Sequence, residues 1–182
     1  MHKWVIACRC EKVSISAVGR PIVSSACFCS DCQAAGHDIE QLPDAPKLVG
    51  DDGGTFAVLF RKDRVKIMQG QDFLREHRRN PDSPTRRVIA TCCNSAMFLD
   101  YTKGFWLSIY TDRFVAEAPA LQTRTMVKER PQGVTLKNDV PNYDSFSGKF
   151  MVKLMLAWAS MGFRSPQLGA MSSIAAPVLP RS

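Results

Sequence analysis

The stretch ACFCSDCQAAGH, residues 26–37, sets three cysteines, Cys27, Cys29 and Cys32, within six positions. A C-x-C-x-x-C run supplies three thiolates from one local loop. Zinc held by three protein ligands keeps a fourth coordination position for water or substrate, the arrangement of catalytic rather than structural sites. The remaining four of the seven cysteines fall in two short groups, Cys8-Arg9-Cys10 and Cys92-Cys93. Residues i and i+2 of a strand share a face, so Cys8 and Cys10 can grip one ion. Cys92 and Cys93, from a remote segment, would close a tetrahedral, structural thiolate site with them. Seven is odd, so a closed disulfide framework would leave one thiol over. Buried thiols acting as small hydrophobes, or a Cys29–Cys32 redox pair, are the competing readings.

Around the cysteines the chain reads as β-rich. Residues 2–10 form an apolar strand, and residues 12–18 (KVSISAV) alternate, with Val13, Ile15 and Ala17 set against Ser14 and Ser16. Gly19-Arg20-Pro21 predicts a turn, and residues 22–25 a short strand running into the cysteine loop. Residues 55–60 (TFAVLF) and 64–68 (RVKIM) predict a hairpin across the polar turn Arg61-Lys62-Asp63. Residues 72–78 suit one helical turn or an edge strand, and 80–84 a turn. Strands are expected at 87–91, 105–110 and 115–118. Residues 148–163 (GKFMVKLMLAWASMGF) form the one clear helix, with Phe150, Met151, Leu154, Met155, Trp158 and Met161 on its apolar face. The fold class is therefore β-rich α+β, with a C-terminal helix. The expected organisation is a zinc domain over 1–120, a linker and packed helix over 121–164, and a loosely ordered tail over 165–182.

Composition bounds the function. Among 182 residues, 45% are hydrophobic and 23% charged, which is the balance of a folded globular chain and not of a disordered one. A net charge of +7 admits an anionic partner, such as an acidic metabolite, nucleic acid or a membrane surface. The basic residues are spread along the chain, and no aromatic residues interleave with the cluster Arg75, Arg78, Arg79, Arg86 and Arg87, so no nucleic acid is expected. That cluster reads as an anion clamp or as a solvated, solubilising surface. The N-terminal apolar run is too short for a secretory signal, which points to a cytoplasmic, reducing location where thiols stay free. The helix, about 24 Å long with Lys153 inside it, is too short for a transmembrane segment. Its default is packing on the sheet or on a partner subunit, which would give a homodimer; an interfacial membrane helix is the minority reading. His37 could complete the three-thiol set or shuttle a proton, but a surface histidine is the plainer reading. Asp31 could orient a ligand or simply stabilise its turn.

The CRC near the N-terminus, the CFCSDC that follows, the middle segment GGTFAVLFRKDRVKIMQG and TCCNSAMF together resemble the glutathione-dependent formaldehyde-activating enzymes and their centromere-protein-V-like relatives. The resemblance runs from Ala7 to about Tyr101. It implies an Mss4-like, β-tent zinc fold, with one structural zinc on Cys8, Cys10, Cys92 and Cys93. A second zinc on Cys27, Cys29 and Cys32 would handle the thiol of glutathione, a small thiol substrate. The implied activity is that of a carbon–sulfur lyase, adding glutathione to formaldehyde. The chain departs from the family pattern at several places. The usual C-x-x-C-G becomes Ala90-Thr91-Cys92-Cys93-Asn94, and Glu11 stands where Gly is usual. Phe28 replaces a common His, and Gln33 a common Arg. Adjacent residues of an extended strand face opposite ways, so joint use of Cys92 and Cys93 demands a turn or bulge, which Asn94 can support through a left-handed backbone. A non-catalytic zinc module that binds a protein or anionic partner is the alternative.

Overall fold

The computed structural model describes residues 2–169 and 171–173. Among the described residues ten strands form two sheets. The small sheet has the order β1-β2-β5, from Lys3–Ala7, Ser14–Val18 and Val65–Gln69. In the large one, β10 (Thr123–Thr125), β3 (Val23–Cys27), β4 (Thr55–Arg61), β9 (Trp106–Tyr110), β8 (Ser95–Tyr101), β7 (Thr85–Ala90) and β6 (Leu74–His77) lie side by side. All pairings are antiparallel except β10 with β3. The described residues also form two α-helices, α1 (Ser30–Glu40) and α2 (Gly148–Ala159). The β-rich α+β expectation and its C-terminal helix are thus observed.

Side chains alternate faces along a strand, and here the alternation separates core from site. Ile6, Ile15, Ala17 and Val65 of the small sheet pack against Val58, Phe60, Val88, Phe98, Leu107 and Ile109 of the large one. Intervening residues face the opposite side, where Ala57, Ile89, Ala96 and Tyr110 pack with Ile39 of α1 and Leu59 lies against α2. The helix touches that side through Phe150 and Leu154, which pack with Val23, Leu59 and Phe105, while Trp158 stacks on Phe105 with ring centroids 5.7 Å apart. Ser147 caps α2 by accepting from the Phe150 amide at 3.2 Å. The expected apolar face is split, since Met151 and Met155 remain exposed. No helix among the described residues is long and apolar enough to cross a membrane.

Several local expectations are corrected. Residues 30–40, read as loop, form α1, and its glycine has a packing reason: a Cβ on Gly36 would lie 2.4 Å from the Val49 side chain. β4 and β5 are both strands but not a hairpin, because they belong to different sheets. Between them a 3-10 turn, Lys62–Arg64, buries Lys62. Gly70, at the end of β5, has a positive φ of 76°, and a Cβ there would meet the Lys12 carbonyl oxygen at 2.1 Å. Residues 115–118 are not a strand; one bridge, Ile6 to Phe114, stands nearby and Val115 is exposed. The expected linker contributes β10, and Thr125 accepts from the Phe28 amide at 3.0 Å. The first part of the expected loose tail is docked: Ser172 accepts from the Glu76 amide at 3.0 Å, covering the β6 edge. Residues 174–182 of that tail lie outside the described residues.

A buried charge network holds the turn between β4 and β5. Lys62 Nζ lies 2.8 Å from Asp100 Oδ1, and Arg86 Nε lies 2.9 Å from Asp100 Oδ2. Arg86 also reaches Glu76 at 2.9 Å. Asp100 thus stands between two buried cations. Asp100→Asn is expected to destabilise the fold by roughly 3 kcal/mol, because it leaves Lys62 without a countercharge. The unfolding midpoint in urea checks this, and an unchanged midpoint would rule it out.

Candidate metal centres and the adjoining cavity

The first centre joins the two sheets. Cys8 and Cys10 follow β1, and Cys92 and Cys93 lie in the turn between β7 and β8. Their four sulfurs all lie within 4.8 Å of one another. Cys8 Sγ is 3.6 Å from Cys10 Sγ and 3.7 Å from Cys92 Sγ, and Cys10 to Cys92 is 3.4 Å. A tetrahedron with sulfur 2.3 Å from zinc has edges of about 3.8 Å, so the donor set fits such an ion. Both knuckles need a left-handed residue to turn back. Glu11 supplies it with φ 60° and Asn94 with φ 49°. Cys92 and Cys93 therefore sit in a turn, not an extended strand, which is how adjacent residues face one point. The thiols also differ among themselves. Burial pushes Cys92 up, aided by hydrogen bonds from Cys10 and Cys8. Burial also opposes ionisation of Cys93, but hydrogen bonds from Ser95, Cys10 and Cys8 prevail and bring it down to about 6.

The second centre is where β3 hands over to α1. Cys27 ends the strand, Cys29 is the N-cap of the helix, and Cys32 lies in its first turn. Cys29 Sγ accepts from the Cys32 amide at 3.4 Å, the role a serine or aspartate oxygen usually takes. Their three sulfurs lie within 4.8 Å of one another. Among the described residues these two groups are the ones that could hold a metal ion through cysteine, and their identity with the spacing-based groups is complete. Hydrogen bonds among the three sulfurs, acting in both directions, together with burial push each thiol up to about 11. All three are then protonated at neutral pH. An ion must displace those protons, so loading this centre should release about three protons, and its apparent affinity should rise with pH below 11. Chelator competition at two pH values checks the sign; pH-independent affinity would contradict it.

Beside the three thiols opens a cavity of about 460 Å³. Its floor is the face of the large sheet turned away from the small one, and its roof is α2. Tyr110 and Arg87 stand on that floor near Cys32. Burial pushes the Tyr110 hydroxyl well above its ordinary range, so it keeps its proton as a donor. Arg87 is buried and binds Asp31 Oδ2 at 2.6 Å. Asp31 is held well below the usual carboxylate range by Arg87 and Arg79, against the opposing effect of burial.

The other sequence candidates resolve one by one. His37 is exposed on α1, bonded to Glu40 at 3.0 Å, and is not among the clustered donors. Of the arginine cluster, only Arg87 lines the cavity. Arg86 serves the buried network, Arg78 pairs with Glu76, Arg79 reaches Asp31 and Asp38, and Arg75 donates to backbone carbonyls. Phe28 points into a core pocket with Ala26 and Val127. Gln33 bonds the carbonyls of Phe28 and Glu129 at 2.6 and 2.9 Å and does not line the cavity. Sequence reasoning missed Tyr110, Trp106 and Leu99. Each is one alternate position of a strand, and no local signal tells a cavity face from a core face.

No protein-family model matches the chain, and no curated protein matches it. Among solved structures it is similar to a Rhodobacter sphaeroides protein known from a crystal structure. The two are 13% identical with a TM-score of 0.44, over 78% of this chain and 99% of that one.

Proposed function

We propose that the chain is a zinc-dependent, thiol-handling protein of the Mss4-like, formaldehyde-activating kind, acting as a carbon–sulfur lyase on a thiol adduct of a small electrophile. One observation carries this reading: three clustered thiols stand at the end of a cavity large enough for a small organic molecule. Cys27, Cys29 and Cys32 would hold the catalytic ion, and Cys8, Cys10, Cys92 and Cys93 a structural one. When bound, a divalent zinc supplies the positive charge that keeps a visiting thiol ionised at neutral pH.

The chain's own residues do the rest. The cavity wall, largely apolar, would hold thiol and carbonyl compound together. In the forward direction a sulfur–carbon bond forms, the carbonyl π bond breaks, and the thiol's proton ends on the carbonyl oxygen. Tyr110, kept protonated, would donate to that oxygen, with the Arg87–Asp31 pair beside it. No protein nucleophile is required. Unpaired cysteines in this number suit a reducing compartment.

The experiment is direct. Zinc-loaded protein is incubated with formaldehyde and a thiol, and hydroxymethyl thioether is followed by NMR against the spontaneous rate. Acceleration that disappears on chelation supports the reading. A rate equal to the spontaneous one for every thiol tried would sink it. The second reading, a non-catalytic zinc module, draws on the exposed apolar residues Val152, Met155 and Leu156 of α2, which could receive a partner or a second copy.

A further inference from the structure

We infer that the thiol taken by the three-cysteine centre carries an uncharged, apolar arm lying between the large sheet and α2. This rests on the thiol-handling reading above and narrows its substrate class. The floor next to the thiols presents Leu59, Leu99 and Trp106, and the roof presents Phe150, Met151 and Leu154. These six belong to three strands and a helix, so the apolar character is a property of the whole chamber and not of one residue.

Charge gives the second argument. Among the described residues lining the cavity, Asp31 and Arg87 are the only charged ones, and they bind each other at 2.6 Å. A thiol tripeptide such as glutathione brings two carboxylates and an ammonium. Placed inside, those groups would meet aliphatic and aromatic carbon, with Arg87 already committed. Moving an ionised carboxylate out of water without a partner is strongly unfavourable. Gln33 offers no help, because its amide is spent on the carbonyls of Phe28 and Glu129. Nor do Arg78, Arg79 and Arg86, which do not line the cavity and are engaged by Glu76, by Asp31 and Asp38, and by Asp100. A benzyl or branched alkyl arm meets no such cost and gains from every methylene it buries. With about 460 Å³ the chamber has room for such an arm and a small carbonyl compound together.

The test is calorimetric titration of the zinc-loaded full chain with four probes: benzyl mercaptan, 2-mercaptoethanol, glutathione and benzyl alcohol. Benzyl mercaptan is expected to bind at least about tenfold tighter than either 2-mercaptoethanol or glutathione. Met151→Glu, a change at a half-exposed helix position, should narrow the ratio of benzyl mercaptan to 2-mercaptoethanol by several-fold. Glutathione binding as tightly as benzyl mercaptan would overturn the apolar-arm inference and leave the thiol reading standing. Benzyl alcohol binding as tightly as benzyl mercaptan would show that sulfur adds nothing and overturn the thiol reading itself. The two failures are therefore told apart by which probe catches up.

Discussion

Cys10→Ser is expected to empty the four-thiol centre and remove most of the chain's stability. The choice of residue matters. Cys8 is buried in the core, so its loss would confound packing with ligation, whereas Cys10 is exposed. Its sulfur touches Cys8 at 3.6 Å and Cys92 at 3.4 Å. Serine keeps the size and polarity but is a poor ligand for a soft thiolate site. The centre is also placed where it counts, since it ties the end of β1 in the small sheet to the β7–β8 turn of the large one. Structural zinc contributes on the order of 10 kcal/mol in small thiolate-held units, comparable with the whole stability of an ordinary domain. The expected result is a chain that binds less metal and melts tens of degrees lower, with the metal-loaded parent protein shifted the same way by a strong chelator. Cys10→Ser melting within a few degrees of the parent, with full metal content, would remove the structural role from this centre.

The cysteine groups were legible because a donor set able to hold a metal leaves a trace in spacing. The donors must reach one point, so they come in short pairs, and Cys8-Arg9-Cys10 and Cys92-Cys93 carry that trace without help from the rest of the chain. Strands such as 12–18 were legible for a similar reason, because one buried face prints a period of two. What failed was information that is not local. SDCQAAGHDIE lacks a strong apolar stripe, and its cap is a cysteine in place of the usual oxygen donor, so nothing announced α1. The segments on either side of Lys62 read as strands and are strands. Their partners were misjudged because the reason they part, a lysine drawn inward to Asp100, sits 38 positions away in the chain. The arginine cluster read as an anion clamp or a solvated surface; strand register instead sends Arg86 and Arg87 to opposite faces, one into a buried network and one into the cavity. The cavity itself was invisible, because its walls are assembled from alternate residues of separate strands.

Under the proposed function, Cys29→Ser is expected to abolish thiol handling while leaving the fold nearly untouched, and the local geometry explains why these two effects separate. Cys29 is both a donor of the three-thiol group and the N-cap of α1, accepting from the Cys32 amide. Serine is among the best N-cap residues, so the helix keeps its first turn, and the change in stability should stay within about 1 kcal/mol. As a ligand, however, the hydroxyl cannot replace the thiolate, and two remaining sulfurs hold a divalent ion far less well than three. The expected loss in turnover is a hundredfold or more, about 3 kcal/mol of transition-state stabilisation, with the melting temperature within a few degrees of the parent. Cys29→Ala supplies the contrast. It removes both roles, so it should match the serine variant in lost activity and fall below it in stability by the worth of a cap, about 1 kcal/mol. If the serine variant unfolds instead, the three-thiol group is a structural staple between β3 and α1, and the open-site chemistry loses its basis. If it folds and turns over normally, the sulfur of Cys29 is no more than a cap.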